Sequence, residues 1–408
     1  MRSVVRCATL AMVLLPSLAT AQSLSLSEAD ALARLSADSP RVRAIRAGID
    51  IARAETLSAG RWPNPRVIVD RESVAGVTEY LTMVAQPLPI AGRRGLDVQA
   101  AAALVDAASA RSDEALRRAR ADLRLAYAQL VAAQMRERTL ASSRDRLREL
   151  ADILARREAA GDAAGFDRLR AEREAWDMDA DLGVAAADRA RAQASIVSFF
   201  AEHADPSRVV ASPGPRAAAA ALPGIDALIE QATSTRGELR ALQKEADAAR
   251  FAARSADRRR IPEAEIIAGT KSSTAGGGDI GSVVTIQATL PLFDRGKPER
   301  AVADARANQA RAQADAFRIA LRAELEGLRA TVVERRQTAE RYRSSAVAGA
   351  DEIERVARVS YDAGERGILE LLDAYRTGST ARVRQAALDL AAMQAEVELE
   401  YASGWEMP

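Results

Sequence analysis

"YDAGERGILELLDAYR", residues 361–376, interrupts what is otherwise a continuous helical pattern near the C-terminus. Gly364 and Gly367 break that pattern, and Glu365, Arg366, Glu370, Asp373 and Arg376 crowd around the break. An earlier stretch matches it. "AAGDAAGFDRLRAER" (159–173) aligns with residues 362–376, setting Gly161 against Gly364, Asp167 against Glu370, Leu169 against Leu372 and Ala171 against Ala374. The match continues upstream. "PRVRAIRAGIDIARAE" (40–55) aligns with "GELRALQKEADAARFA" (237–252), pairing Arg43 with Arg240, Ala44 with Ala241, Asp50 with Asp247 and Arg53 with Arg250. Both segments run into a proline, Trp62-Pro63 and Ile261-Pro262, and then into two short β-like runs. The chain therefore reads as a tandem duplication. Each half is helix, helix, two strands, long helix, tight break, helix. The expected boundaries are 22–202 for the first repeat and 223–408 for the second. Between them, residues 203–222 carry Pro206, Pro213, Gly214 and Pro215 and read as a linker.

The helices are long. From about Gly92 to about Glu158 there is no proline, and only Gly95 is a breaker, so the run would span on the order of 100 Å at ~1.5 Å per residue. Leu116, Leu123 and Leu130 recur every seven residues, as do Leu140, Leu147 and Leu154, with a stammer between the two sets. Phe317, Leu321, Leu325, Leu328 and Val332 show helical spacing in the second half. Returning helices are expected at about 164–202 and 366–401. Stacking a shorter helix (40–60 or 237–259) on each return would restore the length of its long partner. A plain coiled-coil rod explains the heptads but leaves the strand pairs without a purpose.

Strands are expected at 66–73 and 79–88, around a turn at Val74 to Thr78, and at 264–273 and 280–290, around "TAGGGD". In the last, Val284, Ile286, Ala288 and Leu290 face one way, and Val283, Thr285, Gln287 and Thr289 the other. Such alternation suits a strand with one apolar and one polar face. Four strands cannot close a barrel, and open sheet edges are not tolerated in lipid. If these strands span a membrane, several chains must share one barrel, and three chains giving twelve strands is the smallest comfortable solution with an open lumen. A soluble hairpin capping a rod is the other reading of the same pattern.

Composition narrows the class. Of 408 residues 48% are apolar but only 4% aromatic, which favours helices packed through small side chains over a thick core. Lysine occurs only at 244, 271 and 297, and 58 basic residues balance 57 acidic ones. No basic face argues for nucleic acid. Residues 1–21 have a secretory signal's layout: Arg2 and Arg6, an apolar run from Ala8 to Leu15, and Ala19-Thr20-Ala21 before the cut. Its removal takes two basic residues and no acidic one, leaving a net charge of −1. It also takes Cys7, the only cysteine, so no disulfide or thiolate metal site is expected in the mature chain. His203 is the only histidine, which rules out the usual Ser/His/Asp and Cys/His catalysis. "AGGGD" (275–279) lacks the ending of a phosphate-binding loop. No metal site and no cofactor are expected, and the chain is not read as an enzyme.

The duplicated plan, the break Tyr361-x-x-Gly364-x-Arg366-x-x-Leu369-Glu370-x-Leu372-Asp373-Ala374, and the turns "QPLPIAGRR" (86–94) and "LPLFDRGKPERAVADARA" together resemble the TolC-type outer-membrane efflux proteins. The turns look like the heavy-metal, CzcC-like branch. The resemblance covers essentially the whole mature length. It implies a mainly α fold with a small β part: long helical hairpins forming a periplasmic α-barrel, below a twelve-stranded transmembrane β-barrel to which each chain of a homotrimer gives four strands. It implies a passive exit duct in the outer membrane of a Gram-negative bacterium, docked through a periplasmic adaptor onto an inner-membrane RND-type or ABC pump, carrying heavy-metal cations or, in the alternative, drugs or secreted protein. The breaks become the inner tips of the α-barrel. Glu370 and Asp373 map onto the family's acidic constriction, and Tyr361 and Arg366 onto its closure contacts, with Asp167 as an acidic partner for Arg366. Glu370 departs from the more usual aspartate. The docking surface for the adaptor maps onto Gly161, Asp162, Ala163, Gly364, Glu365 and Gly367. A soluble periplasmic scaffold is the alternative of another class, and the two-hairpin, four-strand count tells against it.

Overall fold

The computed structural model describes residues 23–161, 165–214 and 221–405. The expected signal segment and parts of the first tip and of the linker lie outside them. In chain order the elements are β1 (Leu24–Leu26), α1 (Glu28–Ala33), α2 (Pro40–Ala59), β2 (Arg66–Val74), β3 (Val77–Leu88), α3 (Arg93–Ala160), α4 (Gly165–Val197), β4 (Val209–Ala211), α5 (Ile225–Thr235), α6 (Gly237–Asp257), β5 (Ala264–Ser273), β6 (Asp279–Ala288), α7 (Lys297–Arg341), α8 (Ala348–Asp362) and α9 (Ile368–Ser403). The protein is mostly helical with a small sheet part.

The longest helix, α3, runs for 68 residues. Both α3 and α7 start after a glycine in the left-handed region, Gly92 (φ 73°) and Gly296 (φ 78°), where other residues are disfavoured. At Gly296 a side chain is excluded outright, since a Cβ would sit 2.1 Å from the Ala256 carbonyl oxygen. The heptad leucines turn inward: Leu123, Leu130, Leu140, Leu147 and Leu154 are buried, with Leu116 half-buried. Alanine fills much of the remaining interface, which lets the helices approach closely.

The shorter helices stack end to end along the long ones. α4 returns beside the second half of α3, joined by Arg168–Glu158 (2.7 Å), Arg148–Asp179 (2.6 Å) and Arg136–Asp188 (3.0 Å). Where it ends, α2 begins: the Ser39 hydroxyl donates to the Phe199 carbonyl, and the Arg41 guanidinium lies over the Phe199 ring. At its far end Arg94 donates to the Gly60 carbonyl (2.6 Å). The second half repeats this arrangement. Arg236 donates to the Ala402 carbonyl where α9 meets α6, and Arg300–Asp257 (2.7 Å) ties the other end of α6 to α7. Even the exposed i,i+3 pairs correspond, Arg53–Asp50 and Arg250–Asp247.

The long-range sheet has the order β2-β3-β5-β6, antiparallel throughout. β2 and β3 turn through Ala75 (φ 51°) and Gly76 (φ 85°), the two left-handed positions of a type I′ hairpin. The last strand was expected to reach Leu290 and stops at Ala288; Pro291 offers no N–H to a ladder, and the chain turns there with Leu292 donating to the Leu290 carbonyl.

Three features depart from the sequence reading. Strands β1 and β4, three residues each, form a parallel pair that was not expected, and β4 lies inside the segment read as a linker. Gln134 on α3 completes its edge, accepting from the Ala211 N–H (2.8 Å). The second long helix is also not continuous: Tyr342–Val347 form a π-helical segment between α7 and α8.

Candidate functional site

At the inner end of the molecule the two hairpin turns stand side by side on a shared apolar core. Leu147, Leu150 and Leu154 of α3 meet Ala171 and Ala175 of α4, Ala357 of α8, and Ile368, Leu371, Leu372 and Tyr375 of α9. Burial pushes the Tyr375 hydroxyl above its ordinary pKa. Both turns use a left-handed glycine, Gly161 (φ 83°) closing α3 and Gly364 (φ 73°) following α8. In the second turn the Ser360 carbonyl accepts from both Glu365 N–H (2.9 Å) and Arg366 N–H (3.3 Å). Gly367, the second glycine of the break, sits in extended backbone (φ −82°, ψ 173°) that any residue adopts.

The predicted site residues divide by exposure. Glu370 and Asp373 lie on the open face of the first turns of α9, Arg366 is exposed, and Asp167 is half-exposed in the first turn of α4. Asp167 and Glu370 thus hold corresponding positions in the two hairpins. Tyr361 leans on the shared core with the Arg157 guanidinium 5.7 Å from its ring centre. Among the described residues no ion pair within the chain joins Asp167 to Arg366; the neighbouring Arg168 takes Glu158 and Glu172 instead. Gly161, Gly364, Glu365 and Gly367 are exposed at the tips, and Asp162 and Ala163 lie outside the described residues.

One cluster close behind the tips had no sequence signal. The Glu354 carboxylate of α8, with its side chain only 13% exposed, pairs with Arg146 of α3 on one side and with Arg382 of α9 (2.5 Å) on the other. Asp351 accepts from the same Arg382 nitrogen (3.0 Å). Gly378 leaves room for it: a Cβ there would lie 2.6 Å from the Glu354 Oε2. The cluster joins the two hairpins through charge.

The opposite end carries a two-faced sheet. Its register places Val67, Val84, Ala268 and Val284 in one row, and Val69, Tyr80, Leu88, Ile266, Ile280 and Ile286 on the same face. The only charge there is Arg71, over the Tyr80 ring. The other face holds Arg66, Asp70, Glu72, Glu79, Glu265, Lys271 and Asp279, with Arg66–Glu265 and Lys271–Glu79 both at 2.6 Å. Among the described residues no strand pairs with the outer edges of β2 and β6. Among the described residues no helix is long and apolar enough to cross a membrane, and no cluster of His, Cys, Asp and Glu is arranged to hold a metal.

Residues 228–405 match the outer membrane efflux protein family. A cobalt-zinc-cadmium resistance protein, CzcC of Cupriavidus metallidurans, is 24% identical over 340 residues, covering 82% of this chain and 80% of the relative. Among solved structures, a membrane protein from Pseudomonas aeruginosa superposes with a TM-score of 0.76 at 19% identity, covering 92% of this chain and 93% of that one. The outer membrane protein VceC of Vibrio cholerae does so at 0.72 and 17%, covering 92% and 96%. The second half of the chain thus matches the outer membrane efflux protein family in sequence, and nearly the whole length shares the fold of these solved membrane proteins.

Proposed function

We propose that three copies of this tandem-duplicated chain form one passive duct, twelve strands crossing the outer membrane above a barrel of helices in the periplasm. The sheet carries this reading. It has one apolar face, one charged face and two bare edges, and lipid forbids bare edges. Joining β6 of one copy to β2 of the next removes every edge and turns the charged face to the lumen. Cysteine pairs introduced along β2 and β6 test it: oxidation should give a covalent trimer on a non-reducing gel, and only intrachain or random products would sink the idea.

At the inner tips the same assembly sets three copies of Glu370 and Asp373 around one axis. Like charges at such spacing repel one another and attract cations, so these rings would form the acidic constriction. Since Asp167 and Arg366 do not pair within a chain, their contact is assigned to neighbouring copies in the closed state, with Tyr361 beside it. Such a charge-assisted contact contributes about 1.5–3 kcal/mol when partly buried. Replacing Arg366 or Asp167 by alanine should raise single-channel conductance; unchanged conductance in both would remove the latch.

The tips, Gly161 to Ala163 and Gly364 to Gly367, would dock on a periplasmic adaptor, and through it on an inner-membrane RND-type or ABC pump that does the work of transport. The CzcC relative supports heavy-metal cations as cargo. A deletion strain should become sensitive to zinc, cobalt or cadmium; sensitivity to detergents and drugs alone would assign the duct to a multidrug system.

A further inference from the structure

All four crossings between sheet and helices lie at one end of the sheet, since Leu88, Ala264 and Ala288 are in register there and Arg66 lies across from Ala85. Each crossing sets apolar residues against cations, exposed in three of the four and half-buried at Ile261. The first is Arg61–Trp62. The second is Ile90 followed by Arg93 and Arg94, and the third is Arg258, Arg259 and Arg260 before Ile261. The fourth is Leu290, Leu292 and Phe293 followed by Arg295 and Lys297. Phe293 is 99% exposed. These crossings hold eight cations against three carboxylates, Glu263, Asp294 and Glu299, a net +5 in a chain whose total is +1. At the opposite end Asp70, Arg71, Glu72, Glu79, Lys271 and Asp279 sum to −2. Three of the eight have internal duties: Arg93 faces Glu263 (3.9 Å), Arg259 pairs with Glu299 and faces Asp294 (3.4 Å), and Arg94 donates to Gly60 and covers the Trp62 ring. Arg61, Arg258, Arg260, Arg295 and Lys297 are exposed and form no ion pair among the described residues.

We infer that this collar binds the headgroups of anionic phospholipids in the leaflet on the helical side of the membrane. The inference rests on the reading above that the sheet lies in lipid. Its chemistry follows from what stands next to what. The apolar face ends at Trp62, Ile90 and Leu290, at the depth where acyl chains give way to headgroups. Directly beyond stand unpaired guanidinium groups, whose planar forks match phosphate oxygens. A glycan partner would leave the apolar rim wet; a two-tailed phosphate-bearing lipid covers both parts at once, and the sheet beside the rim already lies in lipid on the reading above. In the proposed trimer the collar becomes a closed basic ring, which fixes the depth of the duct in the bilayer.

Trp62 is a built-in reporter. In a Trp176→Phe/Trp405→Phe background it is the only indole of the mature chain. The chain is inserted into phosphatidylcholine vesicles carrying either brominated phosphatidylglycerol or brominated phosphatidylcholine, and quenching per mole is compared. The anionic quencher should be preferred at least about fivefold, the factor one basic residue near an anionic surface supplies. The preference should fall to about one in a variant with Arg61, Arg258, Arg260, Arg295 and Lys297 all changed to glutamine. If that variant folds poorly, raising salt to about 1 M, where screening acts within about 3 Å, should reduce the preference in the parent. Equal quenching by both lipids in the parent, or a preference indifferent to both treatments, would overturn the collar. Conductance in pure phosphatidylcholine separates the two readings. Conduction without lipid preference ends the collar alone, whereas failure to insert in either vesicle ends both.

Discussion

Glu354 shows how single residues hold the tips in place. It is a nearly buried carboxylate between two arginines from different helices, Arg146 and Arg382. Glu354→Gln keeps the shape and removes the charge, leaving two partly buried guanidinium groups without their counter-ion. Such a loss costs about 2–3 kcal/mol, somewhat less than for a fully buried pair. A lowered melting temperature together with higher basal conductance is the expected result; a lowered melting temperature with unchanged conductance would confine Glu354 to stability. Tyr127 gives a residue-scale prediction on pH. Its hydroxyl donates to the Leu26 carbonyl, and burial, with Glu28 and Asp30 nearby, pushes its pKa up to about 12. Tyr401 is raised to about 12 as well, again chiefly by burial. The unfolded chain releases these protons near pH 10 and the folded chain retains them. Their contribution is therefore fully present below pH 10 and lost as pH climbs towards 12. Thermal melts from pH 9 to 12 should show that decline, and Tyr127→Phe should make it shallower; identical slopes would mean that Tyr127 ionises freely in the fold.

At the scale of elements, the sheet makes the sharpest claim. Val284 and Thr285 are neighbours on β6 and face opposite ways. Val284→Arg places a charge on the face proposed to meet lipid, which would cost about 2–4 kcal/mol near the bilayer midplane, while Thr285→Arg adds to a face that already carries seven charged residues. Outer-membrane fractionation should show Val284→Arg depleted and Thr285→Arg inserted; equal insertion of both would place the apolar face away from lipid. Elements of this kind were legible in the sequence because their signals are periodic. The alternation in β6, the proline-free run of α3 and the glycine at each tip all speak locally, and the four sheet strands emerge within two residues of the expected bounds at each end. What stayed hidden has no local signal. β1 and β4 are too short to alternate, and they exist because Gln134 and each other's backbones complete them. The π-helical segment "YRSSAV" contains no breaker. Arg146 and Glu354 are 208 positions apart, so their meeting is a property of two hairpins packed together and not of either one. Gly161 and Gly364 have positive φ and Gly367 does not, so a glycine at a break does not by itself mark a left-handed turn.

The whole molecule carries more surface than a free-standing protein of its mass. It exposes 25030 Å², against about 15,000 Å² for a compact monomer of 43.5 kDa. Part of the excess is elongation, and part is apolar side chains with nothing to cover them. Leu57 on α2 is 79% exposed and Ile319 on α7 75%, with Ile51, Trp176, Val184 and Val359 also open along the helices. All but Leu57, which lies one helical turn from the crossing at Arg61 and Trp62, stand well below the sheet, so lipid cannot cover them. The proposed ring of three copies would, because the first-repeat helices of one copy then face the second-repeat helices of the next. Leu57→Asp together with Ile319→Asp should therefore break the ring without unfolding the chain, since both side chains are solvent-facing in the single copy. Circular dichroism should keep its helical signal while light scattering in detergent falls from the mass of three chains to that of one. A trimer that survives the double substitution would mean that the helices do not meet along these faces, and that the strands alone hold the three copies together.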